Sequence, residues 1–194
     1  MSGANAGPRL VFLYGPPAVG KLTVARAIAE RRDFRVLHNH VTFDPVAEVL
    51  PVGTPAFWAA LDKVRVDLVT AAANEGIDLV YTFVFAPGEE RHADEVARAY
   101  ESIGGVVLFV QLLAPAEELH RRVSSESRRA HAKIMDAASL DRILLDHDVF
   151  AAIPGRDGMT VDVSTTSAED AATQIMERLD AVGRGMTVAG KHAR

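Results

Sequence analysis

One stretch near the start of the chain constrains its fold more than any other. Leu10, Val11, Phe12, Leu13 and Tyr14 form an unbroken apolar run of strand length that stops at Gly15-Pro16-Pro17. A run without polar alternation reads as a strand buried on both faces, which implies a parallel sheet with helices above and below it. Lys21 to Arg32 then places Leu22, Ala25, Ile28 and Ala29 on one helix face. Between strand and helix lies Gly15-Pro16-Pro17-Ala18-Val19-Gly20-Lys21-Leu22-Thr23, a Gly-x4-Gly-Lys-x-Thr loop. In this setting such a loop turns backbone amides toward one point at a helix N-terminus, where amides and dipole favour an anion, and Lys21 adds a point charge for phosphate. The usual pattern has Ser or Thr directly after the lysine to ligate Mg²⁺, whereas here Leu22 follows and the hydroxyl comes at Thr23. The alternative for the same residues is an ordinary strand-to-helix turn.

The alternation continues along the chain. Phe34 to Leu37 reads as a short second strand, followed by the polar group His38-Asn39-His40. Asp44-Pro45 has the form of an N-cap with proline at the first helical position, which predicts a short helix toward Leu50. Thr54-Pro55 repeats the signal and opens a long helix through Phe57, Leu61, Val64, Leu68 and Ala72 to Gly76. Ile77 to Phe85 is strand three, Gly88 to Ile103 a helix, Val106 to Leu113 strand four, Pro115 to about Ala132 a helix, and Ser139 to Val149 a shorter one. Met159 to Val163 is the last strand, and Ser167 with Glu169 and Asp170 starts a final helix through Leu179. Five strands alternating with helices predict a single α/β domain over residues 10–182, with tails at 1–9 and 183–194 and with ligands at the carboxyl ends of the strands.

Composition excludes several classes. The 194 residues are 48% hydrophobic, enough for a self-sufficient core. The absence of cysteine removes disulfides, thiolate metal sites and a cysteine nucleophile, and fits a reducing cytoplasm. The strongly apolar stretch Val106 to Ala114 is far short of the roughly 20 residues that span a bilayer, so no membrane is expected. A net charge of −5 with scattered arginines argues against a nucleic-acid partner.

The loop resembles that of adenylate kinases and related nucleotide kinases, whose Gly-x-Pro-Gly-x-Gly-Lys-Gly-Thr also lacks a hydroxyl beside the lysine. With the polar end of strand two and the late cluster Arg121, Arg122, Arg128, Arg129 and Lys133, the chain resembles the small P-loop kinases over roughly residues 10 to 180. These include adenylate-kinase-like, shikimate- and gluconate-kinase-like, chloramphenicol-phosphotransferase-like and tunicamycin-resistance-like proteins. The resemblance implies a three-layer P-loop NTPase fold, with a five-stranded parallel sheet and an arginine-rich lid at about 121–138. ATP and Mg²⁺ are the implied cofactors, held by residues 15–23, by Arg122 and Arg129, and by Thr165 near the base. Thr23 is the implied metal contact, directly or through water. Arg128 is the implied lid arginine at the transferring phosphoryl group. A solvated helix face is the alternative for these arginines, because Glu117, Glu118 and Glu126 lie among them. For Thr165-Thr166-Ser167 the alternative is an N-cap of the final helix.

On the acceptor side, His38, Asn39 and Arg65 are substrate-binding candidates. Asp44 or His40 is the candidate base for a hydroxyl proton, alongside Lys21 as a catalytic cation. A helix cap is the other reading of Asp44, packing that of the histidines, and a solvated surface that of Arg65. Strand three carries no Walker-B aspartate, since Asp78 stands at its wrong end. Phe57 and Trp58 read as core or pocket wall. True shikimate kinase is disfavoured, because His38-Asn39-His40 and Ala86-Pro87-Gly88 replace its Asp-x-Asp and Gly-Gly-Gly. The expected function is transfer of the γ-phosphoryl group of Mg-ATP to a hydroxyl of a small metabolite or antibiotic. The alternatives are a nucleoside monophosphate kinase and a nucleotide-binding protein without efficient transfer.

Overall fold

β1 (Arg9–Tyr14) buries both of its faces, and Leu10, Val11, Phe12 and Leu13 are all 0% exposed. Alternation along the strand sends Val11 and Leu13 into one apolar cluster and Leu10, Phe12 and Tyr14 into another across the sheet. The computed structural model describes residues 7–123 and 137–191, with β1 as the middle strand of five. Its parallel neighbours are β3 (Leu79–Phe83), in register from Leu10 with Leu79 to Tyr14 with Phe83, and β4 (Val106–Leu113). β2 (Arg35–Leu37) and β5 (Gly158–Asp162) form the edges, in the order β2-β3-β1-β4-β5, and every pairing is parallel.

Helices α1 (Lys21–Arg31) and α7 (Ala168–Lys191) cover one face through Val24, Ala25, Ile28, Ala172, Ile175 and Leu179. The same cluster takes Leu119 of α5 (Ala116–Val123) and Leu140 of α6 (Ala137–Asp146). On the other face lie α3 (Pro55–Asn74) and α4 (Glu90–Glu101), through Val69, Ala73, Ala93, Val96 and Tyr100. Full burial of a Val, Leu or Phe side chain stabilises by about 1.5–3 kcal/mol, so these two clusters hold the three layers together. The chain leaves β1 toward the β2 edge and leaves β4 toward the β5 edge. The two loops diverge and open a crevice at the carboxyl ends of the strands, where such sheets bind ligands.

Several boundaries depart from the sequence expectation, and three of these have a cause visible in the packing or the chain path. α2 runs over Asn39–Ala47 and starts five residues before Asp44, so Asp44 is an interior helical residue and not a cap. Its start is set by packing, because Thr42 and Val46 are buried on the side of α3. Strand three, expected over Ile77 to Phe85, is Leu79–Phe83; at its start the Ile77 amide donates to Ala72 O at 2.9 Å across a left-handed Gly76 and ends α3. The last helix continues to Lys191, through the segment from 183 expected as a tail. No described helix is long and apolar enough to cross a membrane.

Candidate active site

The loop after β1 is shaped by close approach. A Cβ on Gly15 would meet Leu112 O of β4 at 2.2 Å, and Gly15 has φ +141, so only glycine lets the strand end against β4 in this conformation. Ala18 (φ 65) and Gly20 (φ 105) are also left-handed and curl the loop into the start of α1. Gly20 occupies the N-cap position without a side-chain cap, and no acidic residue lies in the first turn. The first amides of α1 are thus left for an anion. Residues 17–24 line a cleft of about 620 Å³, with His38, Asn39 and His40 also lining it, together with Thr82 and Arg122.

Two cations hold this loop. Lys21 Nζ donates to Gly15 O at 2.8 Å and to Pro16 O at 2.7 Å, so it lies folded over the loop that a phosphate would occupy. Arg122, at the end of α5, donates to Val19 O at 2.7 Å, to Val163 O at 2.7 Å and to Glu118 at 2.6 Å. It ties the phosphate loop to the end of β5. Hydrogen bonds from Arg121 and Arg122 hold the Glu118 carboxyl below the usual carboxylate range. Arg122→Ala would orphan both carbonyls, and is expected to cost about 1–3 kcal/mol of stability. Urea denaturation of the natural and variant proteins should read this loss. Arg122→Lys should recover little of it, because an ammonium cannot reproduce the guanidinium fork.

The opposite wall comes from the start of α2 and the end of β3. Arg65 is buried at 6% exposure and does not line the cleft itself. It donates to Thr42 Oγ1 at 3.3 Å and to Asn39 Oδ1, and its guanidinium lies 5.6 Å from the Phe83 ring centroid. Arg65 therefore reaches the cleft through Asn39. None of the described residues places a carboxylate within salt-bridge distance of Arg65, which is unusual for a buried charge. Behind this wall His92 (6% exposed) hydrogen-bonds the Tyr81 hydroxyl at 2.8 Å, with Asp62 3.5 Å from its Nδ1. Burial pushes the His92 pKa down against the opposing pull of Asp62. The unfolded chain then takes up a proton that folded His92 resists, so stability falls as pH drops below the ordinary histidine value of about 6.5. Urea midpoints at pH 5 and 7.5 should show this loss in the natural chain and a smaller one in His92→Gln, whose amide still bonds Tyr81.

Of the residues expected at the site, 17–23, His38, Asn39, His40 and Arg122 line the cleft, while Gly15 and Pro16 support it through the carbonyls that hold Lys21. Asp44 stays outside the wall and is exposed. Thr165 turns its hydroxyl to Asp162 O at 3.5 Å, and Thr166 and Ser167 line the cleft instead. Ser167 also caps α7, accepting from Asp170 N at 3.1 Å, so cap and wall coincide there. Arg128, Arg129 and Lys133 of the expected lid lie outside the described residues. Phe57 is core, whereas Trp58 is 47% exposed and lines no wall of this cleft. Asp78 sits at the amino end of β3, accepting from Arg9 N at 2.7 Å. Thr82 escaped the sequence reading, although its hydroxyl in an otherwise apolar strand was a signal. It stands in the wall at the end of β3.

No family model matches the sequence, and no curated protein matches it significantly. Solved structures share its fold. A sugar kinase from Janibacter sp. superposes with a TM-score of 0.64 at 19% identity, over 92% of this chain and 98% of its own. The APS kinase of Mycobacterium tuberculosis, solved with AMPPNP and APS, gives 0.64 at 14% identity over 90% and 98%. Shikimate kinase from Acinetobacter baumannii, solved with shikimate, gives 0.58 at 18% identity over 90% and 94%. The fold is that of the P-loop kinases of small molecules.

Proposed function

We propose that the chain is an ATP-dependent phosphotransferase acting on a hydroxyl of a small, anionic or polyhydroxylated compound. One observation carries the reading: a single cleft joins a phosphate loop to a polar wall of His38, Asn39 and His40 and, among the described residues, has no Asp or Glu in its lining. Such a wall favours a polyanion, and preorganised cations and amides are what phosphoryl transfer asks of a protein. Lys21 and the first amides of α1 would take the β- and γ-phosphates, with Arg122 beside them. Buried Arg65, held by Asn39, Thr42 and the Phe83 face with no carboxylate of the described residues in salt-bridge reach, supports an acceptor bearing negative charge.

The donor set fits a Mg²⁺ ion that arrives on the nucleotide, because the cleft offers the hydroxyls of Thr23 and Thr82 and, among the described residues, no carboxylate. Among the described residues no three His, Asp or Glu side chains gather at one point. Bound there, the ion would neutralise charge on the β- and γ-phosphates. A second reading, nucleotide binding without efficient transfer, is favoured by that same lack of an acidic metal anchor. ADP release from Mg-ATP, measured with panels of hydroxy acids, sugars, nucleoside monophosphates and hydroxyl-bearing antibiotics, separates the two. Stimulation by one acceptor class supports transfer, and a flat response across every class favours the binding protein.

A further inference from the structure

Phosphoryl transfer to a hydroxyl forms a bond from the acceptor oxygen to the γ-phosphorus and breaks the bond between that phosphorus and the β,γ-bridging oxygen. ADP leaves with the electron pair, and the hydroxyl proton needs a base. Among the described residues no carboxylate lines the cleft, and His38 and His40 are the lining side chains that can accept a proton as a neutral imidazole. We infer that His40 Nε2 accepts this proton and that Asp44 is the positioning residue that fixes the imidazole; the inference rests on the phosphotransferase reading.

The geometry comes from where α2 begins. Because the helix starts at Asn39, and not at the Asp44-Pro45 signal, His40 and Asp44 lie one turn apart on a single face. Asp44 Oδ1 is 3.2 Å from His40 Nδ1. A carboxylate at that nitrogen selects the tautomer with the proton on Nδ1, which leaves the Nε2 lone pair free for a substrate proton. His40 lines the cleft and Asp44 does not, so Asp44 acts through the ring. His38 lies 6.3 Å away between ring centroids, at the N-cap position in extended backbone, with its Nδ1 turned into the protein.

Nitrogen-15 NMR of the imidazoles in the full-length protein tests the assignment, with AMPPNP and MgCl₂ as the probe. His40 should be protonated at Nδ1, and Asp44→Asn should raise the Nε2-protonated form several-fold. AMPPNP should move the His40 ring signals together with the amides of residues 15–23. Loop amides that respond while the His40 ring stays still, or a tautomer ratio unchanged in Asp44→Asn, would overturn the dyad alone. Loop amides that ignore AMPPNP would overturn the phosphotransferase reading with it. With any acceptor that raises ADP release, His40→Gln should lower kcat by about 100-fold or more and leave KM for ATP within about twofold. Asp44→Asn should lower kcat about tenfold, and the double variant should fall no further than His40→Gln, since the pair acts as one unit. Additive losses would contradict the coupling.

Discussion

Lys21→Ala is expected to weaken nucleotide binding by at least about 100-fold, the loss of roughly 3 kcal/mol that follows when a charge-assisted phosphate contact is removed from a partly desolvated site. Lys21 Nζ bonds Gly15 O and Pro16 O in the loop, outside the apolar clusters that hold the layers together. The thermal midpoint of the empty protein should move by no more than about 2 °C, the shift expected of a change outside the core. Calorimetric titration with AMPPNP beside a melting curve checks both. Unchanged affinity would remove the phosphate loop from the account, whatever the fold resembles.

Gly15→Ala is expected to act the other way round, through stability. The added methyl would meet Leu112 O at 2.2 Å at a backbone φ of +141. Contact of that kind with main chain, and not with the end of a flexible side chain, forces β1 and β4 apart at the mouth of the cleft. Steric overlap and unfavourable φ together should cost about 3 kcal/mol or more. For a domain of this size that lowers Tm by about 6–12 °C. Gly53→Ala is the comparison: its φ is +88 but nothing lies within 4 Å of the added Cβ. It should lose only the conformational part, about 1 kcal/mol. A Gly15→Ala protein as stable as Gly53→Ala would show that the loop does not pack on β4 as described.

The parts of this molecule that were legible in the sequence are those set by neighbours in the chain. Leu10 to Tyr14 reads as a doubly buried strand because both faces of β1 meet helices, and residues 15–23 read as a phosphate loop because strand, turn and helix are contiguous. The N-cap at Thr54 was readable for the same reason, its hydroxyl accepting from Phe57 N at 3.2 Å. The failures are non-local. Asp44-Pro45 carries a sound local cap signal, but burial of Thr42 and Val46 against α3 draws the helix start back to Asn39. That shift puts His40 in the cleft wall and Asp44 behind it, two positions between which the sequence could not choose. Arg122 gripping Val19, 103 positions away in the chain, leaves no local trace. The burial of Arg65 behind Asn39, and of His92 behind Tyr81, is likewise a product of how α3 and α4 pack on β3.

Transfer is followed most directly on the γ-phosphoryl group itself. The protein is incubated with Mg²⁺ and ATP labelled at the γ-phosphorus in the presence of pooled hydroxy acids and sugars, and the products are separated. Label is expected on an organic acceptor, and is absent with Lys21→Ala. Label that appears only as inorganic phosphate, or that stays on ATP with every pool, would contradict transfer.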